Sequence, residues 1–84
     1  MPTLAIVDGV SIRMYAADHP PPHFHAQYSE HSAVIGLNPM VVLMGSLPPN
    51  KLKRVLDWAA EHHISLVHAW SLASENQKPG KIDE

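Results

Sequence analysis

From Asn50 to Lys78 the chain contains neither glycine nor proline, and residues of one stripe recur there at spacings of four and three: Leu52, Leu56, Ala59, His63, Leu66, Trp70 and Ala73. That is the period of a helix face, widened by Val55. An unbroken helix would approach about 28 residues, roughly 42 Å in length. A compact chain of 84 residues has a radius of gyration near 12 Å, estimated as roughly 2.2·N^0.38. The helix must therefore break, at His62 to Ser65 where β-branched and polar residues lower propensity, or overhang its own domain and pack on a partner. Ser46 is the expected N-cap, with Pro48 and Pro49 in the first turn.

Before Gly45 the period is two. Leu4 to Val7 runs into Asp8-Gly9, a favoured two-residue hairpin turn. Val10, Ile12 and Met14 then alternate with Ser11, Arg13 and Tyr15, and Phe24, Ala26 and Tyr28 alternate with His23, His25 and Gln27. Ser29 to Ser32 reads as a turn, Ala33 to Leu37 as a strand, Asn38-Pro39 as a turn and Met40 to Met44 as a strand. Short links favour antiparallel neighbours, because parallel pairing needs crossovers of about a dozen residues. The expected fold is α+β: an antiparallel meander of four to five strands, packed on one face by one long kinked helix or two consecutive C-terminal helices. One domain over residues 1–84 is expected, with a loose tail from about 75 and Ile82 tucked back onto it.

Cysteine is absent, which removes disulfides, thiolate zinc sites and thiol nucleophiles together. The net charge of −2 gives no general attraction to phosphate, so nucleic-acid binding has no support from bulk electrostatics. Neither a signal peptide nor a membrane-spanning run is expected, and the default location is the cytoplasm.

Of the seven histidines and eight prolines, three of each fall in the densest group, Asp18-His19-Pro20-Pro21-Pro22-His23-Phe24-His25. An extended triple proline holds His19 and His23 about 12 Å apart. His23 and His25, at i and i+2 of a strand, leave the same face with Cα atoms roughly 6.5 Å apart. Two such imidazoles can occupy adjacent positions on a divalent metal such as zinc. A third ligand must come from elsewhere, with Asp18, His19, Glu30 and His31 as candidates. The competing reading makes His23 and His25 the polar side of a half-solvated sheet, hydrogen-bonded to Tyr15, Gln27 or water.

If the strand carrying Arg13 neighbours the histidine strand, Ser11, Arg13 and Tyr15 share a face with His23, His25 and Gln27. Those donors suit a phosphate or carboxylate, and a histidine pair supplies a base and an acid for phosphodiester cleavage. An exposed sheet face with incidental polar residues is the plainer alternative. Lys51, Lys53 and Arg54 form a basic run at the helix start, either a solvated face or an anion contact. His63 lies on the apolar stripe as a hydrogen-bonded or helix-end residue. Trp58 and Trp70 are core anchors or partner contacts.

The strings Ile12-Arg13-Met14-Tyr15, Asp18 through His25, Leu47-Pro48 and Asp57-Trp58-Ala59 together resemble a family of small bacterial proteins, a domain of unknown function with an Asp-His-Pro-Pro-Pro-His-Phe-His run near its N-terminus. The resemblance extends from Met1 to Trp70. It implies a small α+β protein, often encoded beside another small protein in a toxin-antitoxin-like arrangement. It marks Arg13, Asp18, His19, His23 and His25 without assigning them roles. Where members tend to carry charge, this chain has His63-Ile64-Ser65, which puts a partner surface there in doubt.

Three functions follow as expectations, the third being a non-catalytic metal-binding domain. The first is an interaction or regulatory protein, one component of a two-protein module, whose partner is a cognate small protein encoded nearby or a second copy. The second is a phosphodiesterase or ribonuclease using His23, His25 and Arg13 as catalytic groups, with or without a divalent metal. Tyr15, Asp18, His19, Gln27 and Trp70 are the expected binding residues for either.

Overall fold

Asp8 and Gly9 adopt left-handed φ values of 50° and 83°, the pair of positive angles that a tight two-residue hairpin demands. In a computed structural model, which describes residues 3–16, 18–75 and 82, this turn joins β1 (Thr3–Val7) to β2 (Val10–Arg13). A second tight turn at Ser29 and Glu30 joins β3 (His23–Tyr28) to β4 (His31–Gly36), and β5 (Val42–Gly45) completes one antiparallel sheet in the order β1-β2-β3-β4-β5. The strand β4 thus begins at His31, two residues earlier than the sequence suggests, because the turn needs only Ser29 and Glu30 to reverse the chain.

Alternation sorts the residues onto two faces. Val10, Ile12, Phe24, Ala26, Ala33 and Ile35 are buried, whereas Ser11, Arg13 and His25 are partly exposed and Gln27 is exposed. The buried face meets α1 (Pro49–Glu61) and α2 (His63–Ser74). Val55, Trp58 and Ala59 of α1, with Leu66, Ala69 and Ala73 of α2, complete the core. Phe24 and Trp58 meet edge to face with centroids 6.5 Å apart, an arrangement worth about 0.5–1.5 kcal/mol beyond burial.

The helical stretch breaks at His62, whose φ of −111° and ψ of 24° lie off the helix. Two helices therefore fold back into a body whose longest dimension is 33 Å, shorter than the roughly 42 Å of a straight helix. The stripe is consumed by the protein's own core, so no overhang is left for a partner. His63 begins α2 and its Nε2–H donates to the Leu37 carbonyl at 2.9 Å.

Ser46 does not cap α1. Pro48 holds the N-cap position without a side-chain hydrogen bond, while the Ser46 N–H donates to Ser32 O at 2.9 Å and so extends the β4–β5 ladder instead. Preceding it, Gly45 has φ of 75°, and a Cβ there would collide with the Ser32 carbonyl. The basic run is used in place: Lys51 Nζ donates to the Asp8 carbonyl at 2.9 Å and pairs with its carboxylate at 3.2 Å, and Lys53 pairs with Asp57. Ile82 donates to Leu4 O on the outer side of β1, while the rest of the expected loose tail lies outside the described residues. No described helix is long and apolar enough to cross a membrane.

Candidate functional site

The strand β3 launches His23 and His25 from one face, and β2 brings Arg13 opposite His25 in register. Between these strands the chain turns at Ala16 and bends at Pro20 and Pro21, whose peptide bond is cis. The segment is therefore not the extended polyproline connector expected from three successive prolines.

Its path returns the Asp18 carboxylate to the histidines. Asp18 Oδ2 lies 2.9 Å from His23 Nε2 and 3.1 Å from His25 Nε2, and Asp18 Oδ1 accepts the backbone N–H of His19 at 3.0 Å. Of the four candidates for a third ligand, Asp18 alone joins the pair. The His19 ring stays outside, 92% exposed, and Glu30 and His31 belong to the far hairpin.

Aromatic rings enclose the pair. Tyr15 meets His25 edge-on at 4.5 Å, the two imidazole centroids are 5.1 Å apart at 69°, and Trp70 of α2 places its ring 5.0 Å from His23. His23 is consequently 7% exposed. Its Nδ1–H donates to the Pro21 carbonyl at 2.7 Å, fixing the ring from the other side. Burial by itself raises the Asp18 carboxyl pKa. Hydrogen bonds from His25, His23 and the His19 N–H, with the attraction of His23, outweigh it, and the net value is lowered. Asp18, His23 and His25 are the described residues able to hold a metal, their ligand atoms all within 4.8 Å of one another.

Beside this cluster a groove of 390 Å³ crosses the open sheet face, lined on its polar side by Ser11, Arg13, Tyr15, His25, Gln27 and Ser32 and closed at β5 by Met44. Arg13 Nε is buried there without a hydrogen bond among the described residues. A buried N–H left unpaired is costly.

A family model described as a domain of unknown function, DUF4160, matches residues 9–71, three quarters of the sequence. The chain belongs to the DUF4160 family. The DUF4160 match runs from the first hairpin turn into α2, so it includes Arg13, Tyr15, Asp18, His23, His25 and Trp70 and leaves out β1. No curated protein and no solved structure matches the chain.

Sequence reasoning placed the two histidines and Arg13 on one face and named Asp18 as one of four candidate partners for the histidines without singling it out, and it did not identify Trp70 as the cover of His23. It read Met40 to Met44 as a strand but not that the side chains of β5 (Val42–Gly45) would stay outside the core. Val41, Val42, Leu43 and Met44 are all exposed, Met44 at 69%. No β5 residue enters the core, and β5 pairs only with β4 among the described residues.

Proposed function

We propose that this DUF4160 protein is a small cytoplasmic bacterial interaction or regulatory protein, one component of a two-protein module of toxin-antitoxin type. On this reading its partner adds a strand to β5. The observation that carries the proposal is the state of the two sheet edges. β1 is met on its outer side by Ile82, whereas β5 presents consecutive exposed apolar residues and no charge or proline. Natural sheets guard open edges with charge, proline or a covering element, since an unguarded edge recruits another strand.

A cognate small protein encoded nearby is the expected occupant, as the family resemblance implies, and a second copy of this chain is the alternative. Co-expression with the neighbouring gene product, followed by size-exclusion chromatography with light scattering, distinguishes them. A heteromeric complex supports the cognate partner, whereas a stable dimer of the chain alone supports self-association. A monomer that ignores its neighbour removes the basis for the proposal.

A second reading is favoured by Arg13. Its side chain and the His25 imidazole line one groove, an arrangement suited to holding a phosphodiester while a histidine moves a proton. If so, the protein cleaves bis(p-nitrophenyl) phosphate or single-stranded RNA, and His25→Ala and Arg13→Ala each slow cleavage by about 100-fold. Equal rates for both variants and the parent would dispose of this reading.

A further inference from the structure

We propose that Asp18, His23 and His25 form a binding site for one divalent transition metal of zinc-like preference. The inference stands independently of both functional readings above. It begins with the protons of His23. A carbonyl oxygen only accepts, so the 2.7 Å contact to Pro21 O puts a proton on His23 Nδ1, and in the neutral ring Nε2 then carries a lone pair. That lone pair points at Asp18 Oδ2, another acceptor, 2.9 Å away. Two acceptors in contact inside a largely buried site repel, unless a second proton or a cation lies between them. His25 aims its Nε2 at the same carboxylate oxygen from 3.1 Å, which supplies a third donor atom to the same point.

The surroundings match a metal site as well. Imidazole ligands characteristically donate their other ring N–H to a carbonyl or carboxylate, which fixes tautomer and orientation, and His23 does so. Two ligands on a strand and a third held by the His19 N–H leave little freedom to collapse. Two donors each about 2.1 Å from one ion lie about 3.0 Å apart at a right angle and about 3.4 Å apart at the tetrahedral angle. The two histidine–carboxylate separations, 2.9 and 3.1 Å, therefore need to change by only a few tenths of an ångström, and all three ligand atoms lie within 4.8 Å of one another. Two imidazoles and one carboxylate favour zinc and its borderline neighbours over magnesium or calcium, which prefer all-oxygen sites. Three protein ligands leave a coordination position open, as in reactive rather than purely structural sites.

The test uses untagged, metal-stripped protein titrated with zinc chloride against a chromophoric chelator. One equivalent is expected to bind with a Kd of about 1 µM or tighter. Asp18→Asn and His25→Ala are each expected to weaken binding by about 100-fold or more, beyond the 10–100-fold typical of outer-sphere changes. His31→Ala and His68→Ala, in the far hairpin and on α2, are expected to leave it unchanged. Circular dichroism verifies that each variant is folded. A readout without substitution is cobalt(II), whose paramagnetism should broaden the His23 and His25 ring resonances before those of His31, His62 and His68. Failure of the folded parent to bind stoichiometrically, affinity unaffected by Asp18→Asn and His25→Ala, or a preference for magnesium would each overturn the assignment.

Discussion

Asp18→Ala is expected to destabilise the metal-free protein by about 2–3 kcal/mol, seen as a fall in Tm of roughly 10–20 °C for a domain of this size. Without the metal, the carboxylate accepts the His19 N–H at Oδ1 and, at Oδ2, the proton that takes the metal's place between it and the imidazoles. Its removal leaves the buried Nε2 of His23 facing no partner, and an unsatisfied group in that position costs more than the bond it made. Asp18→Asn keeps an acceptor oxygen and should lose about half as much.

The direction of the Asp18 shift fixes the pH dependence. Its carboxyl is lowered from 3.8 in the folded protein, so its stabilisation is complete above that value and disappears as pH falls through the folded pKa. Thermal melts in a chelator should show the full gap between parent and Asp18→Ala at neutral pH and a closing gap in acid. A gap independent of pH would assign the loss to packing.

The second large effect concerns binding. Leu43→Lys combined with Met44→Lys is expected to raise the Kd for the cognate partner by about 100-fold or more, because central apolar contacts at interfaces cost about 2 kcal/mol or more each when lost. Both side chains are exposed and neither belongs to the core. Thermal stability should therefore move by less than about 0.5 kcal/mol. Charges on an edge strand also oppose pairing with another strand. If the double variant binds as tightly as the parent, the partner does not use β5.

The fold was legible where local chemistry decides it. Asp8-Gly9 announces its hairpin by the backbone angles it tolerates, and the change from period two to a helical period falls at Gly45 as the side chains dictate. The uninterrupted helical stretch, roughly 42 Å as one helix, left a break near His62 or an overhang on a partner as alternatives, and the structure takes the break. Legibility ended where distant segments meet. The placement of Asp18 depends on how residues 18–22 turn, and three prolines read as an extended rod conceal that return. The contact of Trp70 with His23 depends on where α2 docks, which periodicity alone does not specify. The apolar run ending at Met44 reads as a strand in either case, since composition does not distinguish a buried strand from an unguarded edge.

The interaction proposal rests on β5 as the unfilled edge of the sheet, and amide hydrogen exchange addresses it directly. Exchange would be followed for the protein alone and in the presence of the small protein encoded beside it. The expected result is slowing of the β5 amides, from Val42 to Gly45, by about 100-fold or more in the complex, with the exposed side of α2 at Ile64 and Val67 unchanged. Protection confined to α2, or a mixture in which β5 exchanges as freely as in the protein alone, would contradict it.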